Sequence, residues 1–209
     1  MIPPMADKKR ILFLCSLPKD ANVLRFIDEI GEIEDRLLTG QNRNEFDFLP
    51  KLAIKPGNLR QVVTGTPGAT PPFIIHFSMH GDKHNGLVFS DTKGGEAFQS
   101  AEYFLQLFDT VVNGFDVKVE GLIFNVCHSL VFAEDLKRFV KFCVGVNDFI
   151  PDDASIAFSK GFYGSLFDGW DEKKAFAAGQ DAIMEWKSAN NIEETDGGSP
   201  YEKRFQLFN

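Results

Sequence analysis

Tryptophan and tyrosine are scarce in this chain, at two and three residues, and only three cysteines occur in 209 positions. Cys15, Cys127 and Cys143 are an odd set with no paired spacing, which excludes a disulfide framework and points to a reducing compartment. Cations are outnumbered, with 22 Lys and Arg against 30 Asp and Glu, a formal charge of −8. Such a surface repels a phosphate backbone, and no basic stripe offsets it, so nucleic acid is excluded as a partner. No apolar run reaches the roughly 18 residues of a membrane helix. The basic Lys8, Lys9 and Arg10 precede an apolar stretch of only Ile11 to Cys15, too short for a signal-peptide core. The expected location is the cytoplasm, with no membrane partner. A glycine-rich turn is missing after that first apolar run, which excludes a dinucleotide site.

What the chain does have is phenylalanine, 22 of them, within an ordinary 44% hydrophobic and 25% charged composition. Phenylalanine carries no polar handle, so this number predicts thick apolar layers. Residues 1–9 read as a flexible leader and 10–209 as a single domain. Ile11 to Ser16 is a continuous apolar run, the pattern of a strand buried on both faces. Asp20 or Asn22 can cap a helix in which Val23, Ile27, Ile30, Leu37 and Leu38 turn inward while Glu29, Glu32 and Glu34 face water. Further strands are expected at Phe46 to Ile54, with Pro50 marking an edge or bulge, and at Phe73 to Met79, Val117 to Val126, and Phe142 to Val146. Leu87 to Ser90 and Glu96 to Phe98 read as a hairpin around "DTKGG". Helices are expected at Leu59 to Val63, after Ser100, and over Leu130 to Val140, Asp152 to Phe167, and Asp171 to Lys187; Phe205 to Phe208 reads as a short strand. The alternation predicts a mostly parallel sheet of about six strands with helices on both faces.

In an open parallel sheet, sites form at the carboxyl ends of the strands. Two of those ends carry reactive side chains: "IIHFSMHG" ends on His80 and Gly81, and "LIFNVCHS" carries Cys127. Although 47 positions apart, a histidine and a cysteine at neighbouring strand ends can meet in space. A thiol gains nucleophilicity from a nearby imidazole and from a helix N-terminus, and a helix is expected just after Cys127. Glycine after the histidine lets backbone approach a substrate carbonyl, which makes the N–H groups of Gly81 and Cys127 natural oxyanion donors. Cys15 and Cys143 lie inside apolar strands and read as structural. His76 reads as a hydrogen-bonded core residue that can orient the site, and His84 and His128 as loop residues bordering it. His76, His80 and His84 are spaced four apart, a zinc-like pattern only on a helix, which the glycines here oppose.

These residues resemble the CHAT group of caspase-like cysteine peptidases, relatives of caspases, metacaspases and separase. The resemblance runs in order through "ILFLCSLPKD", "LRFIDEI", "IIHFSMHG", "GLVFSDTKGG", "LIFNVCHS", "DDASIAFSKGFYGSLFDG" and "AFAAG". It implies a three-layer caspase-like α/β fold, His80 as general base and acid, Cys127 as nucleophile, and no metal or other cofactor. Met79 stands where the family usually has a small residue and is expected to narrow the mouth. Asn125 stands where metacaspases have an aspartate that helps bind a basic P1 side chain, so strict Arg/Lys specificity is not expected. Asp148, Asp152 or Asp153 can supply an acid instead, although Asp152 or Asp153 reads more simply as a helix cap. The resemblance further implies a bacterial defence or cell-death setting and a protein or peptide substrate. A gasdermin-like pore former would be one such substrate, and the activating sensor a separate chain. The alternative is a non-catalytic interaction module on the same fold, with Cys127 serving only packing.

Overall fold

The computed structural model describes residues 8–19, 25–65, 70–194 and 197–209. The helix caps expected at Asp20 or Asn22 lie outside these residues. In chain order the elements begin β1 (Lys9–Ser16), α1 (Phe26–Thr39), β2 (Phe46–Lys51), α2 (Pro56–Thr64) and β3 (Pro72–Met79). Then come β4 (Gly81–Asp82), β5 (Gly86–Ser90), β6 (Glu96–Gln99), α3 (Ala101–Asp109) and β7 (Gly121–Asn125). The rest are α4 (Leu130–Leu136), β8 (Phe142–Val146), α5 (Asp152–Phe167), α6 (Glu172–Asn190), α7 (Tyr201–Arg204) and β9 (Phe205–Phe208).

The main sheet runs β2-β1-β3-β7-β8-β9, parallel throughout except for β9, which pairs antiparallel with β8. A second, three-stranded antiparallel sheet, β4-β5-β6, contains the expected hairpin. Side chains alternate across a strand, so each central strand feeds two cores. Leu12, Leu14, Ile75, Phe77, Leu122 and Phe124 pack with α2, α3, α4 and the hairpin. Ile11, Phe13, Ile74, Ile123 and Val144 pack with α1, α5 and α6. Phenylalanine fills both layers: the Phe77 and Phe124 rings stack at 4.9 Å on one side, and Phe158 and Phe205 at 3.9 Å on the other. This is a three-layer α/β sandwich with a mostly parallel six-stranded sheet.

Several elements depart from the sequence reading. Glu29 does not face water; it is only 2% exposed. The inward stripe of α1 runs through Phe26, Ile30, Ile33 and Leu37, and Glu29 sits on it at helical spacing from Phe26 and Ile33. Ile27 and Leu38, expected inside, are off that stripe and 60% and 66% exposed. Neither Asp152 nor Asp153 caps α5; the N-cap is Pro151, and both acids stand in the first turn, where the helix dipole favours them. Asp152 accepts from the Arg25 N–H at 3.1 Å, and Asp153 is ion-paired with the Arg25 guanidinium. β2 stops at Lys51, before a turn with Ala53 at φ 55°, and its Pro50 lies on an edge strand as expected. β7 is shorter than expected because Val117 donates its N–H to Val111 O, turning the backbone away from the sheet. The helix at Leu130 likewise closes early, in a 3₁₀ turn over Lys137–Phe139.

Candidate active site

In β3 and β7, Ser78 stands opposite Asn125 in a parallel ladder. Two residues further along each chain, His80 and Cys127 leave the sheet side by side. A Cβ on Gly81 would overlap the Cys127 carbonyl oxygen, so only glycine permits these two strand ends to approach so closely. His80 and Cys127 line one small pocket of about 40 Å³, floored by Ser78, Met79 and Asn125 and walled by Phe26, Glu29, Ile150, Asp152 and Ser155.

The Cys127 sulfur is largely buried and sits against the loop after β8. It accepts a hydrogen bond from the Ile150 N–H at 3.3 Å and lies 3.7 Å from the Ile150 carbonyl. Burial raises the thiol pKa; the Ile150 contact opposes this, while Asp152 and Asp148 add to it. Arg204, fully buried, holds the same loop by donating to Phe149 O and Ser199 O, each at 2.6 Å. His128, next to the nucleophile candidate, has φ 57°, a left-handed conformation uncommon outside glycine. Its N–H donates to Asp148 O at 3.3 Å.

Below the pocket lies a buried polar network centred on Glu29. Its carboxylate accepts from Ser78 Oγ and Ser159 Oγ at 2.6 Å and from Asn125 Nδ2 at 2.7 Å. His76 Nε2 lies 3.1 Å from Glu29 Oε1, an ion-pair distance but not an aligned hydrogen bond, and His76 Nδ1 is 3.0 Å from Tyr163 Oη. Burial alone would push the Glu29 pKa up; charge attraction from His76 at that contact and the hydrogen bonds of Ser159 and Ser78 outweigh it and hold the pKa below the usual value.

The residues singled out from sequence therefore separate. His80, Cys127, Met79 and Asn125 line the pocket, with Gly81 packed on the Cys127 backbone. Met79 is 3% exposed and belongs to the apolar layer, and the Asn125 side chain is engaged by Glu29, Ser155 and Ser159. Asp148 and Asp153 do not line it: the first lies beside His128, and the second pairs with Arg25 over a wider groove. His76 is fully buried and His84 lies in an exposed turn, so the histidines spaced by four do not converge. Among the described residues, no group of three or more His, Cys, Asp or Glu side chains comes together to hold a metal ion. Sequence reasoning missed Glu29: it shares the inward register of Phe26 and Ile33, but a carboxylate there reads as outward without its donors from β3, β7 and α5. Arg204 offered no signal.

No protein-family model matches the chain. Among curated proteins it is 29% identical over 182 residues to a Roc-COR-CHAT protease from an unknown prokaryotic organism, covering 86% of this chain and 17% of that protein. It is 25% identical over 162 residues to a probable protease of Gillisia limnaea, covering 78% of this chain and 28% of that protein. The chain thus spans less than a third of the length of these relatives. Among solved structures, the Drosophila initiator caspase Dronc superposes with a TM-score of 0.55 at 10% identity, covering 96% of this chain and 78% of that one. None of the described helices is long and apolar enough to cross a membrane. The chain is a caspase-like α/β domain whose sequence relatives include a Roc-COR-CHAT protease and a probable protease.

Proposed function

We propose that the chain is a cysteine endopeptidase acting through Cys127 and His80. The observation that carries this reading is their convergence: parallel pairing of β3 and β7 brings the two to one pocket, with Gly81 against the Cys127 carbonyl. In the reaction, His80 takes the thiol proton and the sulfur bonds to the scissile carbonyl carbon, moving an electron pair onto oxygen. The N–H groups of Gly81 and Cys127 donate to that oxyanion. Collapse breaks the C–N bond, His80 protonates the leaving amine, and a thioester remains. A water molecule, deprotonated by His80, then releases the acid and restores the thiol. The balance closes without metal or other cofactor.

On the strength of the resemblance, the substrate is a partner protein in a bacterial defence or cell-death system, such as a gasdermin-like pore former. The setting is cytoplasmic. The second reading, a non-catalytic interaction module, draws on the burial of the Cys127 thiol and its raised pKa. A peptide-library digest read by mass spectrometry separates them. New termini formed by the wild type and lost in both Cys127→Ala and His80→Ala support the peptidase. No cleavage, with no labelling of Cys127 by an electrophilic peptide probe, supports the module.

A further inference from the structure

Apart from the pocket at Cys127, the described residues form an open groove of about 1060 Å³ that begins at Arg25 and is lined by α1, α5 and α6. Its lining follows helical stripes: Ile27, Gly31 and Asp35 succeed one another on α1, and Ala178, Ala182 and Glu185 on α6. Along α5 it runs from Asp153 to Asp168, about 22 Å at 1.5 Å per residue, and a helix of about 10 Å diameter matches a trough of that kind.

Two independent features mark the groove as a docking surface. The first is charge. Seven carboxylates line it against three cations, Arg25, Arg36 and Lys160. Arg25 is held by Asp28 and Asp153, and Lys160 by Glu32 at 2.9 Å. Asp35, Asp181 and Glu185 have no cationic partner among the described residues and stand on both walls. The second is Gly31. It sits in the interior of a 14-residue helix, where glycine costs about 1 kcal/mol relative to alanine. Its conformation is ordinary, and a Cβ there would meet nothing within 4 Å. The fold gives no reason for its smallness; a ligand approaching the α1 backbone would. Ile27, 60% exposed one turn earlier, adds an apolar contact at the same wall.

We propose that the α1–α5–α6 groove docks a basic amphipathic helix of another protein. Lysine or arginine on that helix meets Asp35 on one wall and Asp181 and Glu185 on the other, and its apolar face lies over Gly31, Ala182 and Ile27. The groove shares Arg25 and Ile156 with the Cys127 pocket, so the docked protein lies at the edge of that pocket. The inference is independent of catalysis and is tested on the Cys127→Ala protein.

A displayed library of 15-residue helical peptides, selected on Cys127→Ala protein, gives the readout. The expected winners are net positive, with Lys or Arg flanking an apolar face, and their affinity falls at least tenfold when Asp35, Asp181 and Glu185 are all changed to Lys. A Gly31→Phe variant, which adds bulk where there is space, also abolishes binding while melting at or above the parent temperature. That variant decides the matter if the triple reversal does not fold. No enrichment over empty matrix, neutral or acidic winners, or winners indifferent to Gly31→Phe would overturn the proposal.

Discussion

Replacing Glu29 with glutamine keeps the shape of the side chain and removes the charge on which the network under the site converges. In the folded protein this carboxylate is 2% exposed and accepts from Ser78, Asn125 and Ser159, with His76 at 3.1 Å. Breaking one side of a buried pair costs about 3–5 kcal/mol, because the remaining partner stays desolvated. Glutamine retains one carbonyl acceptor, which puts the expected loss near the lower end, at about 3 kcal/mol. In a domain of this size each kcal/mol lowers the melting temperature by about 2–4 °C, so the expected drop is about 6–12 °C. The assay is urea unfolding by circular dichroism, comparing midpoints at constant slope. Glu32→Gln on the same helix is the control; its half-exposed bridge to Lys160 predicts a loss of about 1 kcal/mol or less. The pH dependence carries the sign. Because the folded Glu29 pKa is depressed, its contribution is complete above the unfolded value near 4.5 and is lost as pH falls through the lower folded value. The gap between wild type and Glu29→Gln should therefore be widest at neutral pH and close in acid. A gap under about 1 kcal/mol at pH 7, or one that widens in acid, would refute this account.

The raised pKa of Cys127 predicts slow alkylation by iodoacetamide at pH 7, with labelling that climbs as pH rises through and beyond 9; mass spectrometry of the labelled thiol checks it. Gly81→Ala places a methyl group into the Cys127 carbonyl and should destabilise by about 1–3 kcal/mol and abolish cleavage, whereas Gly31→Ala should stabilise by about 1 kcal/mol; paired thermal melts compare them. Arg204→Met removes two charged hydrogen bonds to Ser199 and Phe149 carbonyls, for an expected loss of about 3 kcal/mol. It should also speed alkylation of Cys127, whose Ile150 contact hangs from the same loop.

Burial on both faces made much of the fold legible. β8 and α5 begin and end where the sequence placed them, because a covered strand reads as an unbroken apolar run and a charged start and apolar stripe mark the helix; the edge strand β9 is also in place, marked by its short Phe205–Phe208 segment. The convergence of His80 and Cys127 was legible for a different reason, since parallel strands deliver their carboxyl ends to one edge. Glu29 was not, because a periodicity count scores a carboxylate as an outward residue. What makes it an inward one is donors from β3, β7 and α5, and no local pattern encodes those. The loop at Ile150 and the Arg204 that holds it were hidden in the same way, inside segments that read as polar connections.

The two faces of the central strands explain how such a network can exist without loosening the sheet. On one face the side chains grade from apolar to polar toward the site: Ile74, then His76, then Ser78 on β3, and Ile123 followed by Asn125 on β7. On the other face the neighbours at those same levels, Phe77, Met79, Phe124 and Val126, remain in the apolar layer. Alternation lets both conditions hold in one stretch of chain. Met79 accordingly contributes to packing beneath the pocket. A smaller residue there would leave a cavity under His80, so Met79→Ala should cost about 2–5 kcal/mol without widening what the site accepts. Peptide-library profiles of Met79→Ala and the parent should therefore coincide in sequence preference; a broadened preference would show that Met79 restricts the mouth instead.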